Sequence, residues 1–454
     1  MTQPQVLPPR ENSLSTTSDP VLRATHDALT LIFGPVESRT FAVRLWDGTT
    51  EQPTSLDSVP FTLVLRHPGA LRRMFLPPSE LAMAEAYVRG DFDVEGDVEA
   101  ATALGDPIAD RLRAPATLAH LTPHLLALPR VGGRADEALH QKAGLDRLGL
   151  QHAPERDAAA IRFHYDVGND FYALWLDSAM MYSGAYFATG TEDLDSAQRA
   201  KLDYLCRKLR LTPGEQLLDF GCGWGGLIMH AAKHYGVKAM GITLSGAQAA
   251  FARERIAAAH LEEQCRVEVR DYRSLSGAEQ FDKIVSVGMF EHVGRAKMRE
   301  YFAQACQLLK AGGLFLNSGI VESSRPPFNR WHGWVARKVW KRGTFIDRYV
   351  FPDGELVPLE QVERDAAAGG LETRDVEELR EHYAITLRHW VRRLERHRDE
   401  AIRLTSDATY RVWRLYMAAS AHAFSIGRLG LVHVLFTKPG AGGLAGVPLT
   451  RTTP

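Results

Sequence analysis

"LLDFGCGWGG", residues 217–226, decides how the rest of the chain is to be read. Apolar residues run up to Asp219 and Phe220, glycines follow at 221, 223 and 225, and "LIMHAAKHYG" then takes up a helical spacing. A strand that runs into a glycine-rich turn and then a helix lets the backbone turn tightly and approach a ligand closely. In an open α/β sheet that ligand sits at the carboxyl ends of the strands, at a topological switch point. Asp219, at the strand's end, either orders the loop or faces the ligand. The turn alone suits NAD, FAD or S-adenosylmethionine, and it also suits a tight loop with no ligand.

Outward from this turn, short apolar stretches alternate with amphipathic ones. "VKAMGITLS", "RVEVRDY", "FDKIVSVG" and "GGLFLNSGIV" read as strands, and "AQAAFARERIAAAH" and "KMREYFAQACQLLK" as helices. That alternation predicts a mostly parallel sheet with helices on both faces. "LVHVLFTK" (431–438) is expected to add an antiparallel edge. The second strand discriminates between ligands. A nicotinamide site places Asp or Glu about 20 residues on, against the ribose hydroxyls. Here "GITLSGAQ" carries no acid, and Thr243, Ser245 and Gln248 are left to hydrogen-bond. The third strand ends in "DYR", which offers Asp271 to a purine amino group and Tyr272 as an apolar wall.

The chain has 454 residues, which predicts two or three domains. Its net charge of −1 and pI near 7.0 give no general bias toward nucleic acid. Cys206, Cys222, Cys265 and Cys306 form no CxxC pair or Cys/His cluster, so neither a disulfide framework nor a metal site is expected. "MTQPQVLPPRENSLSTTSDP" lacks an apolar signal core, and no run of about 18 apolar residues occurs. A cytoplasmic protein with peripheral membrane contact is the expectation. The expected organisation is a disordered tail (1–20), an α+β domain (21–110), a helical linker (111–158), an α/β domain (159–440) with an insertion at 321–348, and a tail (441–454). In the α+β domain, "TFAVRLWDGTTEQP" and "FTLVLRHPGALRRMF" read as strands, and Ser79 and Gly90 as the start and stop of a helix.

"HYDVGNDFYALWLD", "LLDFGCGWGG", "GITLSGAQ", "FDKIVSVGMFEHVG" and "YVFPDG" occur in that order. Together they resemble the cyclopropane-fatty-acyl-phospholipid synthase family over residues 160–438. "MAEAYVRGDFDVEGD" (83–97) resembles the N-terminal domain of its longer members. The resemblance implies a class I methyltransferase fold that uses S-adenosylmethionine. It implies cofactor contacts at Tyr182, Ser183, Gly221, Gly223, Thr243, Leu244, Gln248, Tyr272 and Arg273, and Tyr165, Gly225 and Asp271 complete the expected cofactor set. The implied substrate is a cis double bond in an acyl chain, usually within a phospholipid. The alkene attacks the sulfonium methyl, and a base removes a proton from the resulting cation. Family members hold a bicarbonate near that cation, and Glu291 and Tyr383 match two of its ligands.

Two other ligands depart from the family pattern. Gly184 in "YSGAYF" stands where a cysteine is usual, although its amide remains, and Ser318 stands where a histidine is usual. Ser420, which aligns with a further family cysteine near the C-terminus, joins Glu291 and Tyr383 as a catalytic candidate that the resemblance implies. If the base is displaced, a hydride shift gives a methylene- or methyl-branched chain instead of a ring. A small-molecule N- or C-methyltransferase is a further alternative. Tyr165, Tyr182, Tyr186 and Phe187 are candidate pocket aromatics whose faces stabilise a cation. "RPPFNRWHGWVARKVWKR" (325–342) joins six basic residues to three tryptophans without an acid, a composition suited to an anionic lipid surface. A homodimer through residues 21–110 and substrate docking there are both open.

Overall fold

A computed structural model describes residues 19–130, 152–324 and 344–450, positions 166, 444, 446 and 449 excepted. The basic and aromatic stretch 325–342, most of the tail 1–20 and the linker residues 131–151 lie outside the described residues. The described residues fall into two compact units. One is built from residues 19–97 and 104–130, the other from 98–103 and 152–450.

The first unit holds β1 (Ala42–Arg44), β2 (Thr50–Glu51), β3 (Phe61–Leu65) and β4 (Phe92–Gly96), in the order β2-β1-β3-β4. β1 and β3 run parallel, and the outer pairs are antiparallel. Ser79 caps the helix Glu80–Val88 by accepting from the Ala82 amide at 3.1 Å, and Gly90 follows at φ +76°. The segment 61–75 is not one strand, as its apolar content suggested. It is β3 followed by a short helix, Ala70–Phe75. Pro68 lies between them and has no amide proton to give to a ladder.

The second unit holds β5 (Gln216–Phe220), β6 (Lys238–Thr243), β7 (Cys265–Val269), β8 (Phe281–Val287), β9 (Leu309–Glu322), β10 (Glu372–Glu378) and β11 (Leu429–Thr437). Their order is β10-β11-β9-β8-β5-β6-β7. The five from β9 to β7 are parallel; β11 is antiparallel to β9 and β10 to β11. β11 is therefore antiparallel as expected but is interior, not an edge. All its residues after Leu429 are buried, and the edge falls to β10, whose sequence "ETRDVEE" is mostly charged.

Neighbouring strand residues face opposite sides of this sheet. Ile284, Phe315 and Val434 pack with the helix Met298–Leu308, while Val285, Leu316 and Leu435 pack with the helices Leu194–Lys208 and Gly226–Tyr235. Strands that are apolar on both faces are what a doubly wound sheet requires. The chain passes from β5 through β6 to β7 on one side, then returns to β8 and β9 on the other. The switch point thus lies between β5 and β8, and it opens at their carboxyl ends.

Candidate active site

A cavity opens at this switch point. The turn after β5 contributes Asp219, Gly221, Cys222, Gly223 and Trp224 to its lining. The end of β6 contributes Thr243, Leu244 and Gln248, the end of β7 Arg270 and Tyr272, and the end of β8 Gly288, Met289 and His292. Tyr165, Met181, Tyr182 and Ser183 close it from outside the sheet. Gly221 sits at φ +91°, where a side chain is strained and a Cβ would come 3.0 Å from Met289. Gly223, at φ +53°, has nothing within 4 Å of a built Cβ, so its backbone is open to a ligand.

Asp219 tests the fit of S-adenosylmethionine. Its side chain is 2% exposed, and Oδ1 has no hydrogen-bond partner among the described residues. Burial raises its pKa to about 7, opposed by the charge of Lys201. A cationic amino group would satisfy this oxygen, and the cofactor carries one. Across the cavity, Thr243 Oγ1 donates to Gln248 Oε1 at 2.8 Å, which orients the amide. Ser245 instead caps the helix Gly246–Ala258, accepting from the Gln248 amide at 3.2 Å. The residues present fit the cofactor.

Three expected cofactor residues do not line the cavity. Gly225 is the left-handed cap of the helix Gly226–Tyr235, and a Cβ there would lie 3.1 Å from Ala252. Its role is helix packing. Asp271 caps the short turn after β7, and Arg273 returns two hydrogen bonds to it, at 2.9 and 2.6 Å. A carboxylate so saturated has little left for an adenine. Arg273 also pairs with Asp157 at 3.1 Å, away from the lining. Tyr186 stacks on Tyr204 and His382, and Phe187 on His389, so neither is a cavity aromatic.

Glu291 lies between two cavity residues in sequence, on the short helical turn Phe290–His292 after β8. Burial in an apolar wall raises its pKa to about 7. The Ile320 amide donates to Oε1 at 2.7 Å and pulls in the other direction, while Oε2 has no partner among the described residues. Its charge is felt at the phenols of Tyr165, Tyr383 and Tyr416. Ser318 and Ile320 alternate with Gly319 and share one face of β9. The register sets Ser318 opposite His433 and Ile320 opposite Leu431. Gly184 meets that face. A Cβ on it would lie 2.6 Å from Leu431 Cδ2 and 3.3 Å from Tyr383 Cγ. The space that a cysteine side chain would need is thus filled by Leu431. Ser420 sits one helical turn after Tyr416 and hydrogen-bonds to its phenol. It is not part of the cavity lining.

An aromatic shell surrounds the site. The His164 ring stacks on Phe351 at 4.2 Å and on Tyr182 at 5.5 Å, with Trp413 at 5.0 Å. Burial lowers the pKa of His164 to about 3 and that of His292 to about 4, so both imidazoles are neutral near pH 7. Lys201, Tyr416, Ile320 and His433 were not singled out from sequence. A signal existed for Lys201, since it stands on the apolar face of its helix.

The mycolic acid cyclopropane synthetase family model matches residues 152–434. A probable fatty acid methyltransferase of Pseudomonas putida is 40% identical over 90% of this chain and 94% of its own length. The chain belongs to the mycolic acid cyclopropane synthetase family. It is, with that family, an S-adenosylmethionine-dependent methyltransferase. A probable fatty acid methyltransferase of Mycobacterium tuberculosis is 35% identical over 89% of this chain and 92% of its own length. Among solved structures, that of the cyclopropane synthase MmaA2 from Mycobacterium tuberculosis is 33% identical with a TM-score of 0.57. It covers 62% of this chain and 97% of its own. A mycolic acid cyclopropane synthase, CmaA1, complexed with SAH, matches with the same figures. Residues 29–104 match a separate domain family of unknown function.

Proposed function

We propose that this chain methylates the cis double bond of an unsaturated fatty acyl chain carried by a phospholipid, and that the resulting cation closes to a cyclopropane ring. The observation that carries this reading is Glu291. A carboxylate in an apolar wall is costly to ionise unless charge develops beside it during reaction. Bound S-adenosylmethionine supplies the electrophilic methyl group. Glu291 Oε2, left free while Ile320 holds Oε1, takes the proton lost from the acyl cation, directly or through a bicarbonate shared with Tyr383. Tyr165 and Tyr182, both in the cavity lining, are the aromatic residues that would stabilise the cation while it lasts. The neutral imidazoles of His164 and His292 add no opposing charge.

A second reading, a methylene- or methyl-branched product, draws on Gly184 and Ser318. Neither places a thiol or an imidazole beside Glu291, and a delayed proton loss leaves time for a hydride shift. The two long relatives are named as probable fatty acid methyltransferases, which agrees with either product. The proposed location is the cytoplasm, with transient docking of residues 325–342 on anionic lipid. No helix among the described residues is long and apolar enough to cross a membrane.

Expression in a bacterium that lacks its own cyclopropane synthase, followed by gas chromatography and mass spectrometry of fatty acyl methyl esters, tests this reading. A new ester heavier by one methylene and resistant to mild hydrogenation is expected. An ester of that mass that takes up hydrogen and then fragments at a mid-chain methyl establishes the branched product. Unchanged esters beside a cofactor-binding protein point to a small-molecule acceptor.

A further inference from the structure

The helix Leu194–Lys208 buries Leu194, Ala197, Gln198, Lys201, Leu202 and Leu205. Two of its buried polar residues, Gln198 and Lys201, reach the same place, while the third, Lys208, pairs with Asp375 and Glu377. Gln198 Nε2 donates to the Ser183 carbonyl at 2.9 Å, and Lys201 Nζ donates to Ser183 Oγ at 2.9 Å. Ser183 lines the cofactor cavity. Lys201 is 1% exposed, and among the described residues it bonds to Ser183 without an ion-pair partner. Asp177 and Asp219 act on it only through space. Asp177 is occupied by the amides of Ala179 and Met181. A buried ammonium without a counter-ion is expensive, so the chain retains an uncompensated cost here.

The direction of the hydrogen bond matters. Because the ammonium can only donate, Ser183 Oγ must accept from it, and the hydroxyl proton is turned elsewhere. No described residue accepts that proton. The cavity therefore presents a hydroxyl donor backed by a positive charge, as well as the unpartnered Asp219 oxygen. A donor backed by a cation, with an anionic acceptor, complements an α-amino acid group.

We propose that Lys201 is the positioning residue for the carboxylate of the cofactor's methionine end, acting through the Ser183 hydroxyl. This concerns the cofactor alone and stands whichever acyl product is formed. It also links cofactor affinity to pH. Burial holds the Lys201 pKa down to about 8, and Asp177 and Asp219 pull it back up. Of the other groups that sense it, burial lowers His230 to about 4 and His433 well below its usual value, so both stay neutral here. Asp219 titrates lower, near 7. A bound carboxylate favours the charged lysine, so affinity falls as pH rises through about 8.

Calorimetric titration of the full chain with two ligands tests this. S-adenosylhomocysteine carries the carboxylate, and 5′-methylthioadenosine lacks the whole amino acid end. Lys201→Met is expected to weaken the first by about ten- to a hundred-fold, the cost of one hydrogen bond to a charged group, and to leave the second unchanged. Equal losses for both ligands, or no loss for either, would overturn the proposal. A second measurement needs no variant. Deaminated S-adenosylhomocysteine keeps the carboxylate but has no amine to titrate, and its affinity for the unaltered protein should fall between pH 7 and pH 9. A flat profile there contradicts the role of Lys201.

Discussion

Gly184 and Leu431 form a matched pair, and the match bears on the chemistry beside them. Gly184→Cys would drive a Cβ against Leu431 and the Tyr383 ring, an overpacking cost of about 1–3 kcal/mol. The melting temperature should drop, and Leu431→Ala in the same chain should recover part of the loss; independent, additive effects would mean that the two do not share a space. Glu291 makes a prediction of the opposite sign. Its folded pKa of about 7 lies above the unfolded value, so the stability it contributes is full below pH 4.5 and is lost as pH rises through 7. Glu291→Gln removes that loss. The variant should therefore melt higher than the parent at pH 8, while its turnover falls by about 10²–10⁴. In the parent, kcat/KM should rise with pH through about 7 as the carboxylate ionises. A profile without an inflection near 7 would remove Glu291 as the base. Much of the site is legible in sequence, because glycines and strand ends mark where a ligand must come. Asp271 and Arg273 are expected at the ligand but pair with each other outside the cavity lining, a pairing that spacing alone does not reveal.

At the scale of elements, the start of the helix Gly226–Tyr235 holds the cavity wall. A Cβ on Gly226 would lie 2.5 Å from the Ala179 carbonyl oxygen and 2.6 Å from Met181 Sδ. Alanine gains about 1 kcal/mol of helix propensity, but the clash is with backbone and must move residues 179–183. Gly226→Ala should therefore weaken S-adenosylhomocysteine by about ten-fold or more, read by calorimetry. Unchanged affinity would show that this segment can shift without cost to the site. The parallel strands are readable because each is a short apolar run between helical stretches. The place of β11 is not, because an interior antiparallel strand and an edge strand share one apolar pattern. The charged sequence of β10 is the better indicator, since a strand of that composition tolerates water at an edge.

For the whole molecule, a net charge of −1 supplies no general attraction to anionic lipid. The membrane docking proposed above would then rest on a local patch, and the one singled out in sequence is 325–342. Changing Arg337, Lys338, Lys341 and Arg342 to glutamine should remove on the order of 1 kcal/mol of surface attraction per residue. Sedimentation with vesicles of anionic phospholipid should show binding lost in that variant and weakened by salt in the parent. Binding indifferent to both changes would place the contact elsewhere. The short helix Val98–Thr102 belongs with the second unit despite its place in the chain. Glu99 there pairs in two-pronged fashion with Arg388, at 2.6 and 2.7 Å. Composition does not reveal such a pairing, since the partners are far apart in sequence.

The most direct test of the central claim uses purified protein, vesicles of a cis-monounsaturated phospholipid, and S-adenosylmethionine deuterated at its methyl group. Mass spectrometry of the released acyl chains should show gain of one carbon from the labelled methyl, with one deuteron lost to solvent and the product resistant to hydrogenation. S-adenosylhomocysteine formed in this mixture without any labelled acyl chain would contradict the account.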